Sequence, residues 1–138
     1  MTQPAVLITG GARRIGAAIA RAFGDAGWHV VIHYGSSREE AEALAGELPS
    51  AETASCDLAD GEASVALVER LAARLDDWRV LVNCASVFEP DSSRALDPET
   101  NRRAFAINAA TPARMAQAFL ARSRRRSAIP TPTSSATP

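Results

Sequence analysis

The sequence predicts an α/β protein whose parallel sheet is covered by helices on both faces. Two observations carry this. Short apolar runs at Ala5–Ile8, His29–His33 and Val80–Val82, with a weaker one at Thr53–Cys56, alternate with stretches of helical periodicity. The helical stretches between runs are roughly ten residues or longer, as right-handed crossovers between parallel strands require.

The first run follows Pro4, and after the glycines Ile15, Ala18, Ile19, Ala22 and Phe23 recur at helical spacing, predicting a packed helical face. Gly27 ends that helix, as a C-terminal glycine does, and His29–His33 resumes as the second strand. Ser37 can cap a second helix carrying Ala41, Leu44, Ala45 and Leu48, which Pro49 closes. Thr53–Cys56 is the weak third strand, ended by Asp57 and Leu58. A helix from about Glu62 to Leu75 buries Val65, Leu67, Val68, Leu71, Ala72 and Leu75, and Val80–Val82 is the fourth strand. Trp28 and Trp78 each stand where a helix hands over to a strand and read as caps on the core. A polar loop from Ser86 to Pro98 leads into a last helix from about Thr100 to Arg122.

With 138 residues, 46% of them hydrophobic, the chain can bury one moderate core. A net charge of -1 draws it to neither nucleic acid nor an anionic membrane. No apolar run reaches membrane-spanning length and the N-terminus has no signal-peptide core, so a cytoplasmic location is expected. Cys56 and Cys84 lack metal-ligand spacing and read as small hydrophobes; no metal site is expected.

The chemistry begins at Thr9-Gly10-Gly11-Ala12-Arg13-Arg14-Ile15-Gly16, a glycine turn between strand and helix. There a phosphate can sit on the helix N-terminus, where free N–H groups and the dipole favour an anion. Gly10 and Gly11 suit a tight turn, and Gly16 lets helix and strand pack closely. This is the mark of a Rossmann-type, doubly wound sheet of about four strands in the order 3-2-1-4. Folds of this type that choose NAD end the second strand with a carboxylate for the ribose hydroxyls. Here the stretch reads His33-Tyr34-Gly35-Ser36-Ser37-Arg38, with no acid before Glu39. Ser37 and Arg38 suit a 2′-phosphate, which points to NADP(H).

Thr9, Gly10 and Gly16 match the Thr-Gly-x-x-x-Gly-x-Gly fingerprint of the short-chain dehydrogenase/reductase family, which the chain resembles from about Ala5 to Leu120. Arg14 replaces the middle glycine, as in the pteridine reductases and their dihydromonapterin reductase-like relatives. In that branch the arginine contacts cofactor phosphate and pterin. His33, Tyr34 and Ser37 resemble the branch's His-Tyr-x-x-Ser. By the same resemblance Asp57 and Leu58 meet the adenine, although Asp57 also reads as a helix cap. Asn83-Cys84-Ala85-Ser86 resembles the branch's Asn-Asn-Ala-Ser, with Cys84 departing from it. It implies that Asn83, Ala85 and Ser86 flank the cofactor and that Asn83 ties the fourth strand's end to its neighbour. Ser86 and Phe88 match residues that bond and stack on a pterin. Asn108, before Pro112, matches the relay asparagine of the catalytic group, whose carbonyl holds a water.

The family's catalytic Tyr-x-x-x-Lys is not in this sequence. All fifteen basic residues are arginine, and Tyr34 is the only tyrosine. Residues 1–122 are expected to form an incomplete NADP(H)-binding domain and residues 123–138 a disordered Arg/Pro/Ser/Thr tail, truncated or out of frame from about Arg124. The fourth strand would then be a sheet edge, much of the family's oligomer interface would be missing, and the fold would be marginal without cofactor. Arg122, Arg124, Arg125 and Arg126 could touch nucleic acid but read first as a solvated run. Two readings remain: the cofactor-binding portion of a reductase acting on a pterin-like C=N or a carbonyl, or a non-catalytic dinucleotide-binding or sensor module.

Overall fold

A computed structural model describes residues 2–127. It contains β1 (Ala5–Thr9), α1 (Arg14–Asp25), β2 (His29–Tyr34), α2 (Arg38–Glu47), β3 (Ala51–Ser55), α3 (Gly61–Arg74), β4 (Trp78–Asn83), α4 (Pro98–Phe105), a π-helical turn (Ala106–Ala110) and α5 (Thr111–Ser127). The strands are parallel in the order β3-β2-β1-β4, as the glycine turn and the alternating pattern predict.

Helices cover both faces, so the inner strands are apolar without alternation. In β1, Ala5 and Leu7 join one core with Leu67, Val68, Leu71 and Met115 of α3 and α5. Val6 and Ile8 join the other, with Ala17, Ala20, Ala41 and Leu44 of α1 and α2. β3 and β4 form the edges, and β3 is half-buried along most of its length. That explains its weak sequence signal and its start at Ala51, upstream of the expected Thr53.

The packed face of α1 differs from expectation. Gly16, Ala17, Ala20 and Gly24 are buried, whereas Ala18 and Ala22 are exposed and Ile15 is 72% exposed. Small residues bring the helix so close to the glycine turn that a Cβ on Gly16 would lie 2.1 Å from the Gly10 carbonyl oxygen. Ile15 turns outward, while Ile19 and Phe23 stay half-buried against the core. The far end of α1 closes as expected at Gly27, whose φ of +86° is left-handed. Gly27 and Trp28 donate N–H bonds to the Gly24 and Phe23 carbonyls. The Phe23 and Trp28 rings meet edge-on with centroids 5.0 Å apart, completing the glycine stop and its hydrophobic contact. Trp78 packs on Phe119 and donates to the Val80 carbonyl.

The last helix starts at Pro98, capped by Asp97, which accepts from the Thr100 N–H at 3.0 Å. Pro112 has no N–H for the Asn108 carbonyl and its ring crowds the preceding turn. The helix widens there, and Thr111 donates instead to the Ala106 carbonyl in π spacing. α5 runs to Ser127, past the expected end at Arg122, because Arg and Ala favour helix and no glycine or proline intervenes. The rest of the expected tail, 128–138, lies outside the described residues. Among the described residues no helix is long and apolar enough to cross a membrane.

Candidate functional site

The site lies at the C-terminal ends of the strands, where β1 gives way to the glycine turn and then α1. Gly10 has φ +60°, and a Cβ there would come within 2.9 Å of the Ala85 Cα. Only glycine lets the turn lie against the loop after β4. Thr9, buried beneath, fixes that loop: its Oγ1 accepts from the Cys84 and Ala85 N–H groups, both at 3.1 Å. Arg14 is the sole non-glycine with positive φ among the described residues, at +51°. It keeps the backbone conformation that a glycine would take at about 1–2 kcal/mol less strain.

His33 holds the other side of the turn. It is 2% exposed, and its Nδ1 accepts from the Gly10 N–H at 3.1 Å. Nε2 must then carry the ring proton, which it donates to the Cys56 carbonyl at 3.0 Å. Burial pushes its pKa down, with a smaller opposing pull from the Cys56 carbonyl. A neutral ring thus braces the glycine turn against the end of β3. Burial also pushes the Cys56 thiol up.

Two cavities of about 500 Å³ each open here and share Gly10, Gly35, Ser37, Ala85 and Ser86. They are lobes of one groove across the strand ends, at the point where the order reverses around β1. The first lobe takes in Arg13, Arg14, Ile15, Gly16 and Tyr34. The second takes in His33, Asp57, Leu58, Val87, Arg103 and Ile107. The sequence-predicted residues thus converge, with five exceptions. Thr9 lies beneath the groove, and Arg38 is outside both lobes and pairs with Glu42 at 2.9 Å. Asn83 reaches the Pro112 carbonyl of α5, while Thr9 does the tying of strand ends. Phe88 is 88% exposed and lines neither lobe. Asn108 exchanges two 2.8 Å bonds with the Val87 backbone, pinning the π turn to the loop after β4.

Sequence reasoning missed Val87, Arg103 and Ile107. Nothing in their local pattern distinguishes them; the crossover brings them over the β3 end. Asp57 accepts from the Ala59 N–H, and the cap of α3 falls to Asp60.

The first lobe is built for an anion. α1 has no side-chain cap and no acid in its first turn. Arg13 and Arg14 are exposed, with no side-chain ion pair among the described residues. Ser37 sits at the N-cap of α2 yet makes no capping bond. The N-terminus of α1, Arg13 and Arg14 line one concavity. The second lobe offers an apolar floor of Leu58, Val87 and Ile107 beside the Asp57 carboxylate, suited to a flat ring bearing a donor. Among the described residues no group of His, Cys, Asp and Glu could hold a metal.

Known proteins share this arrangement. A family model described as short chain dehydrogenase matches residues 4–136. Pteridine reductase 1 of Leishmania tarentolae is 35% identical over 111 residues, covering 64% of this chain and 38% of its own length. Versicolorin reductase stcU of Emericella nidulans is 31% identical over 106 residues, covering 74% of this chain and 40% of its own. Among solved structures, FolM alternative dihydrofolate reductase 1 from Brucella suis in complex with NADP has a TM-score of 0.76 at 34% identity, over 94% of this chain and 52% of that one. A blue fluorescent protein from a metagenomic library in complex with NADPH has a TM-score of 0.80 at 30% identity, over 87% and 51%. The chain spans about half the length of these relatives or less. A match that runs through nearly the whole chain, onto the strand order and glycine turn described above, means that this protein belongs to the short-chain dehydrogenase family.

Proposed function

We propose that the chain forms the NADP(H)-binding portion of a short-chain oxidoreductase acting on a pterin-like C=N or a carbonyl. The observation that carries this is the first lobe: an uncapped helix N-terminus, two arginines without ion pairs, an open Ser37, and no carboxylate at the end of β2. A carboxylate there would repel a 2′-phosphate; a serine and arginines attract one. Bound NADPH supplies the hydride.

This chain's residues bind and orient. Gly10 to Gly16 and Arg14 hold the phosphates, Tyr34, Ser37 and Arg38 the 2′-phosphate end, and Asp57 and Leu58 the base. Ala85 and Ser86 flank the nicotinamide, with Arg14, Ser86 and Phe88 on the substrate side. Asn108 uses its side chain on Val87, and Pro112 cannot donate to its main-chain carbonyl, so that oxygen is assigned to hold a relay water. The likeness to pteridine reductase 1 and to FolM alternative dihydrofolate reductase 1 supports a pterin-type substrate.

Titration of the chain with NADPH and NADH tests the reading. NADPH is expected to bind at least about tenfold more tightly, a difference of about 1.4 kcal/mol. Ser37→Ala and Arg14→Ala should each erode that preference. Equal affinity for the two cofactors would contradict the assignment.

A further inference from the structure

We infer that Arg103 closes the second lobe as a stacking wall, laying its guanidinium on a purine-type base whose amino group bonds Asp57; this rests on the dinucleotide reading above. Arg103 lines the lobe together with the apolar residues Leu58, Val87 and Ile107, one turn before Ile107 on the same helical segment. Its one ion pair is with Asp57, from Nη1 to Oδ1 at 3.8 Å, longer than a hydrogen bond. Both side chains are about half exposed, at 49% and 61%. Such a pair contributes little to stability, so fold stability does not account for Arg103 being at the lobe.

The neighbouring residue makes the contrast. Arg102 spends its guanidinium on Glu99 of the same helix at 2.7 Å. Arg103 stays at the cavity, within reach of the carboxylate on its wall. Asp57 is itself oriented by the Ala59 N–H at 2.9 Å. α4 is held over the groove by the adjoining π turn, where Asn108 is bonded both ways to Val87. The backbone that carries Arg103 is thus placed beside the lobe by the fold.

The chemistry of the lobe fits a flat heterocycle with a donor. An apolar floor takes one face of the ring, and a planar, weakly hydrated guanidinium suits the other. Asp57 can accept from an exocyclic amine at the rim. A lysine keeps the charge without the planar surface, which separates stacking from simple attraction for phosphate.

Calorimetric titration of the full chain with 2′,5′-ADP decides the matter. Arg103→Met is expected to weaken binding about 5- to 30-fold while leaving the thermal transition in place. The loss should persist at about 0.5 M salt, where attraction between exposed charges is screened. Arg103→Lys should recover only part of it. Unchanged affinity of Arg103→Met, full recovery by lysine, or a loss that vanishes in salt would overturn the stacking wall. Failure of the unaltered chain to bind 2′,5′-ADP would instead overturn the dinucleotide reading, and the wall with it.

Discussion

The two ends of the sheet use similar residues in opposite ways. At the N-terminal end, His29 meets Ser50 at 2.7 Å and Glu52 at 2.8 Å, Ser50 meets Gln3 at 3.2 Å, and Arg74 binds the same Glu52. These polar groups find their partners within the chain, and Trp28 and Trp78 pack at the adjoining turns. At the C-terminal end, Arg13, Arg14 and Ser37 are left open and Arg14 holds a left-handed backbone. Internal pairing stabilises; open donors around a concavity lower stability and leave a place for an anion. The contrast sets the open donors of the glycine turn apart at one end of the strands without reference to any relative.

Breaking the C-terminal end outright should have the largest effect. Gly16→Ala drives a methyl into the Gly10 carbonyl, 2.1 Å from the ideal Cβ. A destabilisation of about 3 kcal/mol is expected in denaturant titration, because backbone lies on both sides of the clash and neither can yield cheaply. An unchanged midpoint would show that the turn and helix are not held as close as described.

The two histidines sharpen the comparison, since both lie on β2, at opposite ends. Burial lowers the pKa of each, aided at His29 by the positive charge of Arg74. The unfolded chain takes up protons near pH 6.5 while the native rings resist. Their contribution is therefore complete above that pH and is lost as pH falls towards the native values, with a slope for His33 of at most about 1.4 kcal/mol per unit. Thermal denaturation between pH 7.5 and pH 5 should show the decline, for those assay conditions of roughly neutral to mildly acid pH. His29→Gln should reduce that slope and spare NADPH binding; His33→Gln should reduce both, because His33 braces Gly10. Equal effects on binding would erase the distinction between the ends.

How far this was legible in the sequence depends on what each residue signals locally. β1, β2 and α3 announce themselves by continuous or periodic apolar residues. β3 does not, because an edge strand reading Ala-Glu-Thr-Ala-Ser buries little. The face of α1 was read only in part: Ile19 and Phe23 pack on the core as periodicity predicts, but close approach selects the small residues Gly16, Ala17, Ala20 and Gly24, which periodicity does not mark. The glycine turn and Ser37 were readable from spacing and residue type, whereas Asp57 was placed only by the family resemblance. His33 was placed at the site, but its buried role between Gly10 and Cys56 depends on two other strands and has no sequence signature. Pro112 foretold a disturbed helix; that Asn108 would lock onto Val87 across the groove was not foretold. Arg103 looks like any solvated helix arginine until the crossover sets it beside Asp57.

Arg14 joins the two sides of the comparison in one residue, since it carries both strain and an unpaired charge. Arg14→Gly should raise stability by about 1 kcal/mol by relieving the +51° φ, and should weaken NADPH binding by about tenfold through loss of a phosphate contact. Paired denaturant and NADPH titrations of this one variant measure both. Stability rising while affinity falls is the predicted result; stability and affinity both unchanged, or affinity preserved while stability rises, would contradict the claim that the strained end of the sheet is the cofactor's.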